Sequence, residues 1–217
     1  MELIYSLNNF MLNMNIDYAV CGGHAIDLFL EKKTRPHKDL DVVVFWEDRD
    51  KTIEFMLKNK WDVYEPCGTE YLHKINNINS QKRLRSNIWC VEPDNRHYTF
   101  SEKDTDMYAV EFDDSEQTEL DYIEFLFNTR NEGYFFYSRN YDIKLELNTV
   151  ICKMDNIPYI APELVLLYKS TAAEQVEYQL DFENTLSKMN EQQIKWLNDS
   201  LKIMYPKGHK WLTENKF

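Results

Sequence analysis

The stretch Leu40 to Phe45, Leu-Asp-Val-Val-Val-Phe, constrains the fold more than any other segment. β-Branched side chains lose freedom in a helix but stand clear of one another on a pleat, so this run predicts a buried strand. Its flanks have a different period. Residues 2–14 place apolar groups three and four apart, the spacing of one helix face. Asp17-Tyr18-Ala19-Val20-Cys21 reads as a short apolar strand running into Gly22-Gly23, and Ala25, Ile26, Leu28, Phe29 and Leu30 resume helical spacing up to Lys32-Lys33. Asp48 to Lys60 is helical again through Ile53, Phe55, Met56 and Leu57. The first sixty residues therefore predict helix, strand, helix, strand, helix.

From Trp61 the texture changes. Short segments rich in Tyr, Phe, Ile, Val and Trp recur at 61–64, 88–91, 107–112, 120–127, 134–137 and 149–153, separated by turn formers such as Pro93-Asp94-Asn95 and Asn131-Glu132-Gly133. They predict a mixed or antiparallel sheet. Strand signals stop at Ile160. Pro162 suits a first helical position, and 163–170, 172–189 and 191–205 read as helical. The expected class is α+β: a mixed sheet with flanking helices over residues 1–160, then a helical C-terminal domain over 161–217.

Charge and cysteine usage narrow the functions. Against 37 Asp and Glu stand 25 Lys and Arg, a net charge of −12. Such a surface repels phosphate backbones and argues against nucleic acid, while it suits metal ions or a cationic small molecule. Cys21, Cys67, Cys90 and Cys152 are widely spaced, with neither the C-x-x-C of a zinc site nor a disulfide framework. No apolar run reaches the ~18–20 residues that span a bilayer, and the N-terminus lacks the layout of a signal peptide, so a cytoplasmic location is expected.

Two features carry chemistry. Gly22-Gly23 sits at a strand-to-helix junction, where glycine admits a close backbone approach and the helix start offers free N–H donors to phosphate; a tight turn needing positive φ is the plainer explanation. Asp39-Leu40-Asp41 enters the apolar strand with both carboxylates on one face. They repel each other unless a cation lies between them, and Mg2+, which prefers oxygen ligands, is the obvious one. A solvated strand end is the alternative. Together the two features place a phosphate cradle beside a metal-binding pair, the parts that phosphoryl and nucleotidyl transfer require.

Cys21-Gly22-Gly23-His24-Ala25-Ile26-Asp27-Leu28-Phe29-Leu30, followed by Thr34-Arg35-Pro36-His37-Lys38-Asp39-Leu40-Asp41, resembles the minimal nucleotidyltransferases that modify antibiotics. The nearest likeness is to the aminoglycoside 2''-O-adenylyltransferase and lincosamide nucleotidyltransferase group, and it is specific over residues 18–45. The resemblance implies a polymerase-β-type nucleotidyltransferase fold, with ATP and Mg2+ as cosubstrates and a cationic, aminoglycoside-like acceptor. It implies that Asp39 and Asp41 hold metal, and that Asp121, in Glu119-Leu120-Asp121-Tyr122-Ile123-Glu124, is a third metal ligand or a general base. Glu119 shares the Asp121 face and Glu124 points the other way; both compete for that role. Gly22 and Gly23 would cradle the triphosphate. Arg35 and Lys169 are weighed evenly between phosphate contact and solvated surface, Asp27 as a support of the glycine turn, and His37 as a turn-capping or exposed residue. Position 24 is His where the aminoglycoside enzymes have an aromatic, and residues 61–118 diverge most, which bears on the acceptor. Transfer to a protein or tRNA end, as in toxin–antitoxin nucleotidyltransferases, and a catalytically idle nucleotide-binding relative are the alternatives.

Overall fold

A computed structural model describes residues 1–68, 71–81, 85–95, 98–113 and 115–213. The chain forms two compact units that interleave in sequence: Met1–Ala19 with Pro36–Asn128, and Val20–Arg35 with Thr129–Phe217. The elements run α1 Glu2–Leu12, β1 Tyr18–Val20, α2 Gly22–Leu30, β2 Asp41–Phe45, α3 Arg49–Lys58, β3 Asp62–Pro66, β4 Leu72–Lys74, β5 Asn87–Val91, β6 Tyr98–Asp104 and β7 Met107–Phe112. They continue with β8 Tyr122–Asn131, β9 Tyr134–Phe136, β10 Lys144–Glu146, α4 Leu147–Val150, β11 Ile151–Met154, β12 Ile157–Ile160, α5 Pro162–Lys169, α6 Val176–Leu186 and α7 Glu191–Met204. The class is α+β with a mixed sheet, as expected.

In the first unit the sheet runs β2-β8-β5-β3-β4-β7-β6. β2 and β8 are parallel; the remaining neighbours are antiparallel. Val42 to Phe45 are all fully buried, which accounts for the unbroken apolar run. α1 buries Leu3, Ile4, Leu7 and Met11, and its Phe10 ring meets Phe55 of α3 edge-on at 5.3 Å and Trp61 at 5.5 Å. Arg49 of α3 is buried with its guanidinium 4.6 Å from the Phe127 ring centroid and no hydrogen-bond partner; burial lowers its pKa, and the charges of Glu65 and Asp50 together with the aromatic face oppose that desolvation.

This sheet does not stay open. β6 lies five strand spacings from β8 along the order, about 24 Å in a flat sheet. Yet the Tyr98 ring of β6 stacks on Tyr122 of β8 with centroids 4.4 Å apart. The β3–β7 region therefore coils back over the face that carries Tyr122, and its interior fills with Tyr64, Leu72, Val91, Tyr98 and Tyr122, flanked by Trp89, Phe100, Tyr108 and Val110. β4 and β6 went unread in the sequence. β6, Tyr-Thr-Phe-Ser-Glu-Lys-Asp, is exposed over Ser101–Asp104, so its polar end resembles a loop until β7 pairs with it.

In the second unit β11 and β12 form an antiparallel hairpin, and Val20 pairs in parallel with Tyr159. Residues Thr129 to Asn131 pair with β9, which pairs with β10. α5 starts on Pro162, as its fixed φ favours, and is buried along almost its whole length. α7 opens with a reciprocal capping box, Asn190 Oδ1 accepting from the Gln193 amide and Gln193 Oε1 from the Asn190 amide, each at 3.0 Å. The Trp211 ring stacks on Phe182 of α6 at 4.7 Å and its indole N–H donates to Gln179 at 2.8 Å.

Glu163 of α5 is buried and accepts from Gln193 Nε2 at 2.9 Å; burial pushes its carboxyl up to about 6. A carboxyl raised in the folded state favours folding at low pH and loses that contribution as pH rises through the folded value. The wild-type melting temperature should therefore fall between about pH 4.5 and 6.5 relative to Glu163→Gln, by the equivalent of about 2 kcal/mol. Melting curves across that range check it, and parallel curves for the two proteins would exclude Glu163 as the source.

Candidate active site

The first unit carries two carboxylates on adjoining strands and a third in the loop that leads into one of them. Asp41 opens β2, and Asp39 lies two residues before it. The parallel β2–β8 register sets Asp41 directly opposite Glu124, fixed by the Glu124 amide donating to the Leu40 carbonyl at 2.9 Å. Cross-strand partners project to the same face, so Asp41 and Glu124 stand side by side. Asn87 Nδ2 of β5 donates to Glu124 Oε1 at 2.6 Å. Burial raises the Glu124 carboxyl, the Asn87 hydrogen bond opposes the rise, and the Asp39 charge adds to it. Like charges are thus held together by the backbone ladder, in a set of hard oxygen donors that fits Mg2+ better than a soft metal.

Asp121 occupies a different place. It precedes the first residue of β8 and is 6% exposed; Gln117 Nε2 donates to its Oδ1 at 3.1 Å, and its carbonyl accepts from the Glu92 amide at 2.8 Å. The same Gln117 amide group reaches the Glu119 and Tyr122 carbonyls at 3.0 and 2.9 Å, and the Gln117 backbone N–H donates to the His37 carbonyl at 2.8 Å. The carboxylate opposite Asp41 is therefore Glu124, since the register turns Tyr122 and Glu124 to the Asp41 side. Asp121 remains within electrostatic reach, because burial and then Asp39, Asp121, Glu124 and Asp41 together raise the Tyr98 phenol. His37 is buried, at 2% exposure, and not on the surface.

Gln117, Asn87 and Tyr98 left no sequence signal. Asn87 and Tyr98 act through contacts that the pairing and coiling of the sheet create, while Gln117 holds Asp121 from four residues away and reaches the loop before β2 through its backbone N–H to the His37 carbonyl.

In the second unit, Gly22 begins α2 at φ 63°, a conformation costly for residues with a Cβ, and Cys21 caps the helix without a side-chain hydrogen bond. The turn explanation of this glycine is thus met. Asp27 acts structurally, accepting from the Thr34 amide at 2.8 Å and the Thr34 hydroxyl at 2.6 Å. Arg35 and Lys169 both engage Asp181, which is fully buried: Arg35 Nε and Nη2 at 3.2 and 3.0 Å, Lys169 Nζ at 3.0 Å. Lys169 also lies 4.2 Å from the Tyr178 ring centroid. Any phosphate contact by either side chain would draw on a cation that already shares this carboxylate.

Removing one charge from the carboxylate face should stabilise the metal-free protein. Glu124→Gln keeps an oxygen for the Asn87 hydrogen bond and relieves repulsion, so its melting temperature at neutral pH should rise by about 2–4 °C, the equivalent of about 1 kcal/mol. A lower melting temperature would show that the Glu124 charge is compensated.

Residues 3–124 match the model of the aminoglycoside-2''-adenylyltransferase family. No curated protein sequence matches the chain. Among solved structures, that of the antibiotic-resistance factor ANT(2'')-Ia in solution superposes with a TM-score of 0.56 at 11% identity, over 95% of this chain and 92% of that one. The lincomycin-bound lincosamide antibiotic adenylyltransferase LnuA gives 0.55 at 15% identity, over 87% and 97%. ANT(2'')-Ia in complex with adenylyl-2''-tobramycin gives 0.53 at 11% identity, over 94% and 99%. At these identities the likeness is one of fold.

Proposed function

The chain belongs to the aminoglycoside-2''-adenylyltransferase family and is a nucleotidyltransferase, and from that premise we propose that it transfers AMP from ATP to a hydroxyl of a small cationic acceptor, an aminoglycoside-like antibiotic, releasing pyrophosphate. The observation that carries the reading is the carboxylate group at the head of β2, Asp41 on the strand with Glu124 opposite on β8 and Asp39 two residues before it. Asp39 and Asp41 hold the divalent metal, Mg2+ by the chemistry of the donors, and Glu124 is the third carboxylate. When bound, the ion supplies charge neutralisation at the triphosphate and lowers the pKa of an oxygen it contacts. The backbone N–H groups of Gly22 and Gly23 receive phosphate oxygens. The acceptor oxygen attacks the α-phosphorus, its proton passes to a carboxylate, and the bond to the bridging oxygen breaks as pyrophosphate departs.

A cationic acceptor agrees with the net charge of −12 and with a second acidic group, in which burial and the charges of Asp121, Asp94 and Glu119 raise the Glu92 carboxyl. No helix among the described residues is long and apolar enough to cross a membrane.

The test is pyrophosphate release from ATP and Mg2+ against a panel of aminoglycosides and lincosamides. Asp39→Asn and Asp41→Asn should each lower turnover by about 10²–10³-fold or more with unchanged circular dichroism. Wild-type turnover in either folded variant would remove the reading.

The third carboxylate is tested separately. Glu124→Gln should cost about 10²–10⁴-fold, the worth of a positioned base or of lost charge at the metal. Asp121→Asn, whose Oδ1 can still accept from Gln117, should cost far less. The reverse ranking would assign the role to Asp121.

A further inference from the structure

Tyr98 stands where two otherwise distant parts of the first unit meet. It begins β6, the last strand of the sheet order, yet its ring stacks on Tyr122 at 4.4 Å with planes 25° apart, and Phe112 of β7 meets it edge-on at 5.5 Å. It is 8% exposed, and its amide donates to Asn95 Oδ1 at 2.8 Å, which fixes the strand's entry. Its hydroxyl donates to the carbonyl of Lys38 at 3.2 Å. Lys38 immediately precedes Asp39. The residues before Asp41 lie outside β2: the His37 carbonyl accepts from the Gln117 amide and the Leu40 carbonyl from the Glu124 amide, and the Tyr98 hydroxyl reaches the Lys38 carbonyl between them.

We propose that Tyr98 is a positioning residue for Asp39: the coiled β3–β7 region serves to deliver one phenolic hydroxyl to the Lys38 carbonyl and so holds the Asp39 carboxylate in its metal-binding orientation. This rests on the reading of Asp39 as a metal ligand. The aromatic stacking sets where the ring lies; the hydrogen bond alone reaches the loop. The two contributions separate chemically, because phenylalanine keeps the ring and loses the donor. A metal-ligating carboxylate loses affinity when a hydrogen bond that fixes the adjoining backbone is removed, since the ordering cost moves into the binding step. This also gives a physical task to residues 61–118.

The experiment is Mn2+ titration of the nucleotide-free protein followed by electron paramagnetic resonance, on wild type, Asp39→Asn and Tyr98→Phe, with amide hydrogen exchange of residues 37–41 measured on the same samples. Tyr98→Phe should bind Mn2+ about 3–10-fold more weakly, in line with one lost hydrogen bond, and should exchange faster at 37–41 while the rest of the sheet is unchanged. Tyr98→Leu, which also removes the stacking, should weaken Mn2+ binding further. Equal Mn2+ affinity in wild type and Tyr98→Phe, with Asp39→Asn weakened, overturns the positioning role and leaves the metal reading standing. Absence of Mn2+ binding by wild type, or equal binding by Asp39→Asn, overturns the metal reading and the positioning role with it.

Discussion

The parallel pairing of β2 with β8 is the constraint on which the candidate site depends. Five consecutive residue pairs, from Asp41 opposite Glu124 to Phe45 opposite Asn128, lock the register, and the buried Val42, Val43, Val44 and Phe125 make a slip by one residue prohibitive. A one-residue slip would exchange the two buried faces of β2, unmatch the packing of these side chains, and carry Glu124 away from Asp41. The core therefore sets the distance between like charges that would otherwise separate. Apolar burial is the larger effect, and it supports an electrostatically unfavourable arrangement suited to a cation.

Around that ladder the first unit builds a closed aromatic interior. Each strand from β3 to β7 is short, and the sheet coils far enough for its final strand to touch β8. Tyr64 and Phe100 lie face to face at 4.5 Å with planes 4° apart, and Trp89 meets Tyr122 and Phe112 edge-on at 6.0 and 5.4 Å. Such ring contacts add to area burial and have defined geometry, so the coil is specific. It is also the means by which residues sixty positions apart, Lys38 and Tyr98, come within hydrogen-bonding distance.

The second unit solves a different problem. Asp181, with no exposure, lies between two cations, Arg35 with two donors and Lys169 with one. A buried carboxylate without such partners would be strongly destabilising, while with them it ties the segment after α2 to α5 and α6. In the sequence Arg35 and Lys169 read as phosphate contacts or solvated cations, with no sign that Asp181 joins them. Nothing in their spacing, 35, 169 and 181, reveals that they share one site.

The local sequence determined a good deal. The periodicities of α1, α2, β2 and α3, the Pro162 start of α5 and the glycine turn are set by near neighbours, as are the α+β class and the family motif over Gly22–Asp41. These are properties of short segments, where spacing and propensity act within one or two turns or along one strand. Tertiary structure decided the rest. Asp121 and Glu124 lie three positions apart, and only the pairing partner of β8 decides which of them stands opposite Asp41. β6 becomes a strand because β7 pairs with it, and the two compact units interleave because β1 and β8 each cross from one to the other. Register, sheet coiling and buried ion pairs are all long-range events, whose partners are chosen by the burial of the whole sheet, and no single segment encodes them.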